Sequence, residues 1–374
     1  MLPDRDDPSG GTGGAMRARK GRGAVSNIAH RFERVAREAD GDARDAARSE
    51  PGDDETLPPL ATEVGFETAR SLLAYNDSPD IGFDRSINPY RGCEHGCIYC
   101  YARPTHGYLN LSPGLDFETR LVAKRNAAEV LLAELSAPGY QPDVINLGSA
   151  TDAYQPIERE LRITRRVVEV LAETKHPFAI TTKSSLVERD LDLIAPLAAD
   201  ALTAVYVSIT TLDSSLARKL EPRCPSPQRR LRTVATLARA GVPVCVNVAP
   251  IVPFLTEPDL ERIIEAAADA GARAAFYTVL RLPWEVATLF REWLATHYPE
   301  RAQRVLARVR DMRGGRDYDA AFRTRMTGEG PWADLIRQRF DKACARSGLQ
   351  HRRFALRCDL FVRPRPRTPQ MELF

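Results

Sequence analysis

Three cysteines, Cys93, Cys97 and Cys100, stand in a Cys-x3-Cys-x2-Cys arrangement. Thiolates at this spacing on one loop can each bind one iron of a cubane iron–sulfur cluster, and the fourth iron is then left without a protein ligand. Clusters that only transfer electrons are held by four cysteines, and structural zinc sites are closed by four cysteine or histidine ligands. An iron with an open position can bind a substrate or cosubstrate, so the spacing indicates catalysis.

A zinc site is the main alternative, because His95 or His106 would complete a set of four ligands with the three cysteines. His95 lies between two of these cysteines, however, and its ring is expected to point away from a centre that both of them bind. Disulfides are not expected, since the chain has seven cysteines, an odd number, and shows no secretion signal. It also shows no run of ~20 apolar residues, which predicts a cytoplasmic protein without a membrane span.

The cysteines and their neighbours resemble the signature of the radical S-adenosylmethionine (radical SAM) enzymes, Cys-x3-Cys-x-aromatic-Cys, with Tyr99 as the aromatic residue. The flanking runs Asn88-Pro-Tyr-Arg-Gly-Cys93 and Cys97-Ile-Tyr-Cys-Tyr-Ala-Arg103 are similar to the DNA-repair-photolyase-like branch, a distant relative of spore photoproduct lyase. The resemblance implies a 4Fe–4S cluster whose open iron binds SAM and cleaves it reductively to a 5′-deoxyadenosyl radical. It also implies a flavodoxin or ferredoxin as electron donor.

Apolar runs rich in β-branched residues alternate with amphipathic helical patterns from residue 81 onward. The predicted strands are 81–87, 144–147, 178–182, 204–209, 244–248 and 274–280. The predicted helices between them are 126–135, 159–174, 187–199, 228–240 and 257–270. Alternation of this kind predicts right-handed βαβ units on a parallel sheet, and six strands are too few for a closed eight-stranded barrel. The expected fold is therefore α/β, a partial open (β/α)6 barrel, which the resemblance also implies.

The rest of the chain is expected to form three accessory parts. Residues 1–60 are poor in large apolar side chains, which predicts disorder, and residues 61–299 would form the barrel. Residues 300–362 would form a basic, mainly helical extension that covers the open barrel, and residues 363–374 a tether rich in proline and arginine. Helices are predicted near the barrel's end and in the extension at 284–297, 300–312 and 331–346, and a strand at 353–362.

The resemblance places the SAM contacts at the carboxyl ends of successive strands. Gly148-Ser-Ala-Thr-Asp152 follows the second strand, where related enzymes carry a Gly-Gly-Glu-like run that receives the SAM ammonium. The usual glutamate is absent, so Ser149, Thr151, Asp152 or backbone carbonyls would replace it. The alternative for Asp152 is that it only caps a turn.

Three further residues are candidate SAM or substrate contacts. Lys183 ends the third strand, where related lyases have a lysine, and its point charge suits the SAM carboxylate; a solvated lysine is the alternative. Ser208, which strand alternation places on one face with Thr210, would bind the ribose or carboxylate. Arg223 would bind a carboxylate or phosphate through its planar fork, and a surface pair of Glu221 with a neighbouring arginine is the alternative there.

A hydrogen-atom donor is missing from its expected place. Spore photoproduct lyases carry a cysteine in the loop after the second strand, whereas residues 148–158 contain none. Cys224 is the only loop cysteine that could substitute for it. Spore photoproduct itself is therefore not the expected substrate.

The C-terminal region predicts a polyanionic partner. Residues 301–374 contain 18 Lys and Arg against 8 Asp and Glu, and basic blocks bind phosphates because counterions are released. DNA is the expected target; modification of RNA or protein, and a non-catalytic iron–sulfur protein tethered to a clamp, are the alternatives. The final Gln370-Met-Glu-Leu-Phe374 resembles peptides that dock on the bacterial sliding clamp, unless this tail packs on its own barrel.

Overall fold

A computed structural model of the chain describes residues 18–33 and 60–365. The possible clamp peptide at residues 370–374 lies outside the described residues, and so does most of the segment 1–60. Within the described ranges, no helix is long and apolar enough to cross a membrane.

The described residues contain ten strands in two sheets. They are β1 (Glu63–Glu67), β2 (Leu73–Tyr75), β3 (Arg85–Ile87), β4 (Tyr90–Arg91), β5 (Arg120–Lys124), β6 (Ile145–Leu147), β7 (Phe178–Thr182), β8 (Thr203–Ser208), β9 (Val244–Ile251) and β10 (Ala274–Val279). The larger sheet has the order β10-β9-β8-β7-β6-β3-β2, and the smaller sheet has the order β1-β5-β4.

The six predicted strands correspond to β3 and β6 to β10, which pair in parallel throughout the larger sheet. β2 adds an antiparallel edge strand beside β3 that the sequence did not predict. The order ends at β10 on one side and at β2 on the other, so the sheet does not close on itself. The prediction of an open (β/α)6 barrel is confirmed.

Helices cover the outside of this barrel because one face of each is apolar. The covering helices are Ala127–Ser136, Ile163–Glu173, Leu191–Ala199, Pro227–Arg239 and Leu260–Asp269. Leu131, Val168, Ile194, Leu237 and Ile264 are fully buried among them, and burying each such side chain contributes about 1.5–3 kcal/mol. The outward-facing residues of β7 to β10 are buried beneath these helices, whereas inward-facing residues such as Thr181, Asn247 and Phe276 are half-buried.

Two predicted helices are divided by local geometry. The 159–174 prediction corresponds to Glu158–Leu161 and Ile163–Glu173, which are separated by Arg162 in the left-handed conformation at φ 52°. The 187–199 prediction begins as the 3-10 turn Ser185–Asp190 and continues as Leu191–Ala199. Hydrophobic periodicity cannot detect a single left-handed residue or a change from 3-10 to α-helical geometry. Each pair was therefore predicted as one helix.

The C-terminal extension is helical, as predicted, and an ion-pair network attaches it to the barrel. Its helices run over Glu285–His297, Pro299–Asp311 and Pro331–Ser347, with a short turn at Thr324–Thr327. Arg339 of the last long helix bonds Glu257 at 2.5 Å and Glu261 at 2.7 Å. These two ion pairs join the extension to residues 257 and 261 of the barrel.

The predicted strand at 353–362 is wrong. Only a single bridge, between Ala274 and Gln350, aligns this region with β10. Beyond it, the Arg357 amide donates to the Ala201 carbonyl and the Val362 amide to the Thr174 carbonyl. Both acceptors lie in turns just before strands, so the segment crosses the amino-terminal side of the barrel and satisfies its backbone there rather than in the sheet.

The predicted disorder of residues 1–60 is wrong for residues 18–33. Ala24 and Val25 are buried, and the Arg22 guanidinium donates to the Glu118 carbonyl at 2.8 Å. The amides of Gly23 and Ala24 donate to the Glu118 carboxylate at 2.9 and 2.8 Å. These bonds to a buried carboxylate order the segment despite its low apolar content, and composition cannot register them.

Candidate active site

A cavity of about 1150 Å³ lies inside the barrel and opens at the carboxyl ends of its strands. Every strand from β6 to β10 contributes to its lining, for example through Asn146, Thr181, Tyr206, Asn247 and Phe276. Cys93, Cys97 and Cys100 also line it. The parallel topology thus brings the cysteine loop to the interior of the barrel.

The positions of the three thiols can be compared with the zinc alternative. Among residues 18–33 and 60–365, no three Cys, His, Asp or Glu side chains are placed to bind one metal ion together. In a cubane cluster each iron takes its own thiolate, so the sulfurs need not surround one point. The pKa of Cys97 is lowered to about 7, chiefly by a hydrogen bond with Cys224, whose sulfur lies 4.0 Å away.

The two histidines of the zinc alternative have other partners. His95 Nδ1 lies 3.2 Å from the Asp152 carboxylate. Burial alone would lower the pKa of His95, but the Asp152 charge and hydrogen bond outweigh burial and raise it to about 10. His106 Nε2 bonds the Arg120 carbonyl at 3.0 Å. His95 is therefore protonated rather than a neutral ligand, and it also hydrogen-bonds Cys93. Burial lowers the pKa of His106 to about 4, so that ring is neutral, but it does not line the cavity with the cysteines.

A fully buried arginine holds the cysteine loop in shape. Arg103 donates to the carbonyls of Cys97 at 2.9 Å and Gly96 at 3.2 Å, and it pairs with Glu118 at 2.5 Å. Glu118 in turn accepts the amides of residues 23 and 24. The N-terminal segment, this ion pair and the cysteine loop therefore form one hydrogen-bonded unit. Arg103 belongs to the signature run, but its position in the sequence did not predict this role.

The segment that follows β6 braces the same loop from the other side. The Gln155 amide donates to the Gly92 carbonyl at 3.2 Å and accepts from the Glu94 amide at 2.8 Å. Glu158 accepts from the Tyr90 hydroxyl at 2.5 Å. The run from 152 to 158 therefore acts in this structure mainly as scaffold.

Lys183 carries an unpaired positive charge on the cavity wall beside the cysteine loop. Its ammonium makes no hydrogen bond or ion pair with the described residues, and its Nζ lies 5.9 Å from the centroid of the Tyr99 ring. Burial lowers the pKa of Lys183, but the charges of Cys97 and Glu221 outweigh burial and raise it. The ammonium therefore stays protonated and free to bind an anion.

Tyr99 and Ser208 line the same cavity as this lysine, but only one of their hydroxyl groups is engaged in a hydrogen bond with the described residues. The Tyr99 hydroxyl is bonded to Glu221, a buried carboxylate that also pairs with Arg230, so only the ring faces the cavity. The Glu221 partner is thus a buried arginine and not a surface one. The Ser208 hydroxyl lines the cavity without a hydrogen-bond partner in the described chain.

The candidates for the SAM ammonium line the cavity, but their side chains are occupied. Asn88 donates to the Ser149 hydroxyl at 3.1 Å, and the Thr151 hydroxyl donates to the Tyr90 carbonyl at 3.0 Å. Asp152 accepts from the Thr182 hydroxyl and from the Lys183 amide, each at 2.7 Å. Asp152 therefore holds the end of β7 and the His95 ring in place, which is more than the turn-capping role that the sequence analysis gave as the alternative.

Arg223 and Cys224 do not lie among the residues that line the cavity. Arg223 pairs with Glu94 at 3.1 Å and bonds Thr62 at 3.3 Å. Its amide donates to the His95 carbonyl, so the chain passes behind the cysteine loop at this point. The structure thus separates Arg223 from the other predicted contacts and places the Cys224 thiol beside Cys97 instead of beside a substrate.

Replacing Gly23 with alanine tests the link between the N-terminal segment and the cysteine loop. A Cβ at this position would lie 1.8 Å from the Gly96 carbonyl oxygen, and a backbone atom cannot move away cheaply. We expect Gly23→Ala to cost about 1–3 kcal/mol, the range for overpacked sites, and to lower the iron retained after reconstitution. Thermal unfolding and iron analysis measure both effects.

The matched control for this substitution is Gly139→Ala, because a Cβ there would meet no atom within 4 Å. It should melt and load iron as the wild type does. If Gly23→Ala matched this control, residues 18–33 would have no part in supporting the loop.

Comparison with known proteins gives a family and a fold. The sequence model of the radical SAM superfamily matches residues 87–267. An uncharacterised protein of Mycobacterium tuberculosis is 37% identical over 246 residues, which are 64% of this chain and 72% of that one. An uncharacterised protein of Methanocaldococcus jannaschii is 30% identical over 214 residues, which cover 57% and 76% of the two chains.

Among solved structures, spore photoproduct lyase complexed with dinucleoside spore photoproduct superposes with a TM-score of 0.54. The superposition covers 76% of this chain and 80% of that one at 15% identity. Similarity at this level of identity concerns the fold, and it agrees with the open barrel described above.

Proposed function

Because the chain belongs to the radical SAM superfamily, whose enzymes use SAM for radical chemistry, we propose that it carries a 4Fe–4S cluster on Cys93, Cys97 and Cys100 and modifies or repairs DNA. The observation that carries the proposal is the placement of three thiols and one unpaired ammonium, that of Lys183, on the wall of a single cavity. Ordinary electron-transfer sites need no such cavity or cation beside the cluster.

Different residues of the chain are proposed to bind different groups of SAM. A cluster held by Cys93, Cys97 and Cys100, with SAM bound beside it, would supply the radical chemistry that removes a hydrogen atom from the substrate. Lys183 binds the SAM carboxylate by charge, and Ser208 offers a free hydroxyl to the ribose or carboxylate. The ring of Tyr99 forms the wall beside them, since Glu221 holds its hydroxyl away from the cavity. Backbone carbonyls of Ser149, Thr151 and Asp152 are the proposed acceptors for the SAM ammonium. Those of Ser149 and Asp152 already accept hydrogen bonds from the Tyr101 hydroxyl and the Gln155 backbone amide, so the Thr151 carbonyl is the more available one.

Three observations support DNA as the target. The cavity exceeds the ~300–1000 Å³ of a site for one small ligand, which leaves room for a second group beside SAM. Residues 301–374 are strongly basic. Spore photoproduct lyase, which shares the fold, has been solved with a dinucleoside lesion. Residues 148–158 bring no thiol to the cavity, so spore photoproduct is not proposed as the substrate.

The proposed partners act outside this cavity. A flavodoxin or ferredoxin is the proposed electron donor, and residues 370–374 are the proposed contact with a sliding clamp. The division into a barrel at 61–299 and an extension at 300–362 is likewise a proposal.

Hydrogen transfer from labelled DNA tests the function. The protein is reconstituted with iron and sulfide without oxygen, and then given dithionite, SAM and either perdeuterated DNA or perdeuterated RNA. We expect 5′-deoxyadenosine to form and to carry deuterium from DNA, as measured by mass spectrometry.

Each other result of this assay selects a different function. Label arriving only from RNA would move the target to RNA, and unlabelled product with both polymers would favour a protein substrate. If no 5′-deoxyadenosine formed in any arm, radical chemistry would be rejected in favour of a non-catalytic iron–sulfur protein.

A further inference from the structure

Two arginines on the cavity wall have no carboxylate partner. Four arginines of the described chain line this cavity. Two of them are neutralised, since Arg325 pairs with Asp80 at 2.5 Å and Arg337 pairs with Asp334 at 2.8 Å. Arg281 and Arg353 form no ion pair with the described residues. Their charges are therefore available to an anion inside the cavity.

Arg281 is held in place by neutral groups. Its guanidinium donates to the Tyr318 hydroxyl at 3.2 Å and to the Met326 sulfur at 3.3 Å, and it lies 5.4 Å from the centroid of the Tyr101 ring. Its buried Nε has no hydrogen-bond partner. The planar fork is thus fixed in orientation while its charge stays uncompensated, which reduces the entropy lost when it binds an anion.

Arg353 crosses the open edge of the barrel. It follows the bridge that ties Gln350 to β10 and packs on Gly82, where a Cβ would lie 2.2 Å from its Cζ. The Phe83 ring centroid lies 5.9 Å from that Cζ. Glycine at position 82 thus leaves room for the guanidinium to lie in the gap between the two free edges of the sheet.

The two arginines stand at different depths along the strands. Arg281 follows the carboxyl end of β10 and lies beside the ring of Tyr101, the residue after Cys100. Arg353 lies near Tyr206, because its charge opposes the rise that burial causes in the pKa of that phenol. Aromatic rings lie around this second position, which is at the exposed amino-terminal end of β10, with Tyr206 6.4 Å from Phe276 and 6.2 Å from Phe354. The cavity wall therefore carries a cation, a group of rings and a second cation.

We propose that Arg281 and Arg353 bind phosphodiester groups of a polynucleotide strand whose target nucleotide faces the cysteine loop. The inference rests on the proposed function and names the contacts of its substrate. A guanidinium fork bonds two phosphate oxygens at once, and aromatic rings bind bases by stacking. Lys183 remains for the SAM carboxylate, so the two arginines are the free cations left for the substrate.

Oligonucleotide affinity tests the proposal without requiring turnover. The cluster-loaded protein is titrated into a fluorescein-labelled single-stranded DNA 12-mer, and into RNA of the same sequence, at several salt concentrations. For Arg281→Gln and Arg353→Gln we expect Kd to rise about tenfold or more. Each lost phosphate contact should also reduce the salt slope of log K by about 0.7. Fluorescence anisotropy gives both quantities.

The matched control is Arg337→Gln, which removes the same charge from the same cavity but from an arginine already paired with Asp334. Arg353→Lys, which keeps the charge and loses the fork, guards against a packing defect, and thermal unfolding checks that each variant is folded. We expect the control to lose little affinity and Arg353→Lys to fall between the wild type and Arg353→Gln.

The outcomes separate this inference from the proposed function. If the wild type binds DNA while Arg281→Gln and Arg353→Gln lose no more affinity than Arg337→Gln, the phosphate contacts are rejected and the function stands. Losses at both arginines with RNA alone would keep the contacts and move the target to RNA. A wild type that cleaves SAM but binds neither oligonucleotide would overturn both the contacts and the DNA target.

Discussion

Replacing Cys97 with alanine should abolish both the iron–sulfur absorbance of the reconstituted protein and its formation of 5′-deoxyadenosine. The thiol is buried on the cavity wall, and its pKa is lowered to about 7, so it is easily deprotonated for binding iron. Losing one of three ligands leaves an iron without protein support. We expect product formation to fall by at least 100-fold, as measured by chromatography of anaerobic reactions.

The control must separate loss of a ligand from loss of any cysteine. Cys358→Ala removes a partly buried thiol outside the cavity and should retain both signals. Cys224 needs separate treatment, because its sulfur lies only 4.0 Å from that of Cys97 and offers a substitute ligand. If Cys97→Ala kept some activity, the double variant with Cys224→Ala should remove it. Cleavage that survived in the double variant would contradict the ligand assignment.

Replacing Lys183 with methionine should weaken SAM binding while leaving the cluster in place. The ammonium is the free cation beside the cysteine loop, and hydrogen bonds to charged groups contribute about 1.5–3 kcal/mol. We therefore expect the Kd for SAM to rise roughly 10-fold to 150-fold. Equilibrium dialysis gives this affinity, and the absorbance of the cluster should be unchanged.

Lys175→Met is the matched control, since Lys175 is exposed and makes only a 3.7 Å pair with Asp200. It should bind SAM as the wild type does. Unchanged SAM affinity in Lys183→Met would mean that the carboxylate is bound elsewhere. Loss of the cluster in the same variant would instead make Lys183 a structural support of the loop.

Much of the fold followed from local sequence patterns. Alternation of apolar strands and amphipathic helices predicted β3 and β6 to β10, together with an open α/β barrel, and the structure agrees. The disagreements arise where one residue or a distant partner decides the conformation. Arg162 divides a helix by adopting a left-handed conformation, and residues 353–362 are not a strand because their backbone bonds to turns across the barrel.

The candidate site shows the same division between local and distant information. Five of the predicted SAM contacts, together with Tyr99 of the signature, line one cavity, since the carboxyl ends of parallel strands meet there. Arg223 does not line it, because the chain passes behind the cysteine loop at that point. Arg281 and Arg353 were not predicted as site residues because they belong to no recognisable sequence motif. They are candidate anion contacts because neither has a carboxylate partner among the described residues.

The sequence by itself determined the cysteine loop, the succession of parallel strands and therefore the end of the barrel at which most of the predicted site residues lie. Ligand spacing and hydrophobic periodicity are properties of neighbouring residues, so they can be read along the chain. Only the tertiary structure decided which polar groups are free. Asp152 is occupied by His95 and Thr182, and Glu118 by residues 23 and 24, whereas Lys183 is left unpaired. Availability depends on partners far away in the sequence, and folding alone brings them together.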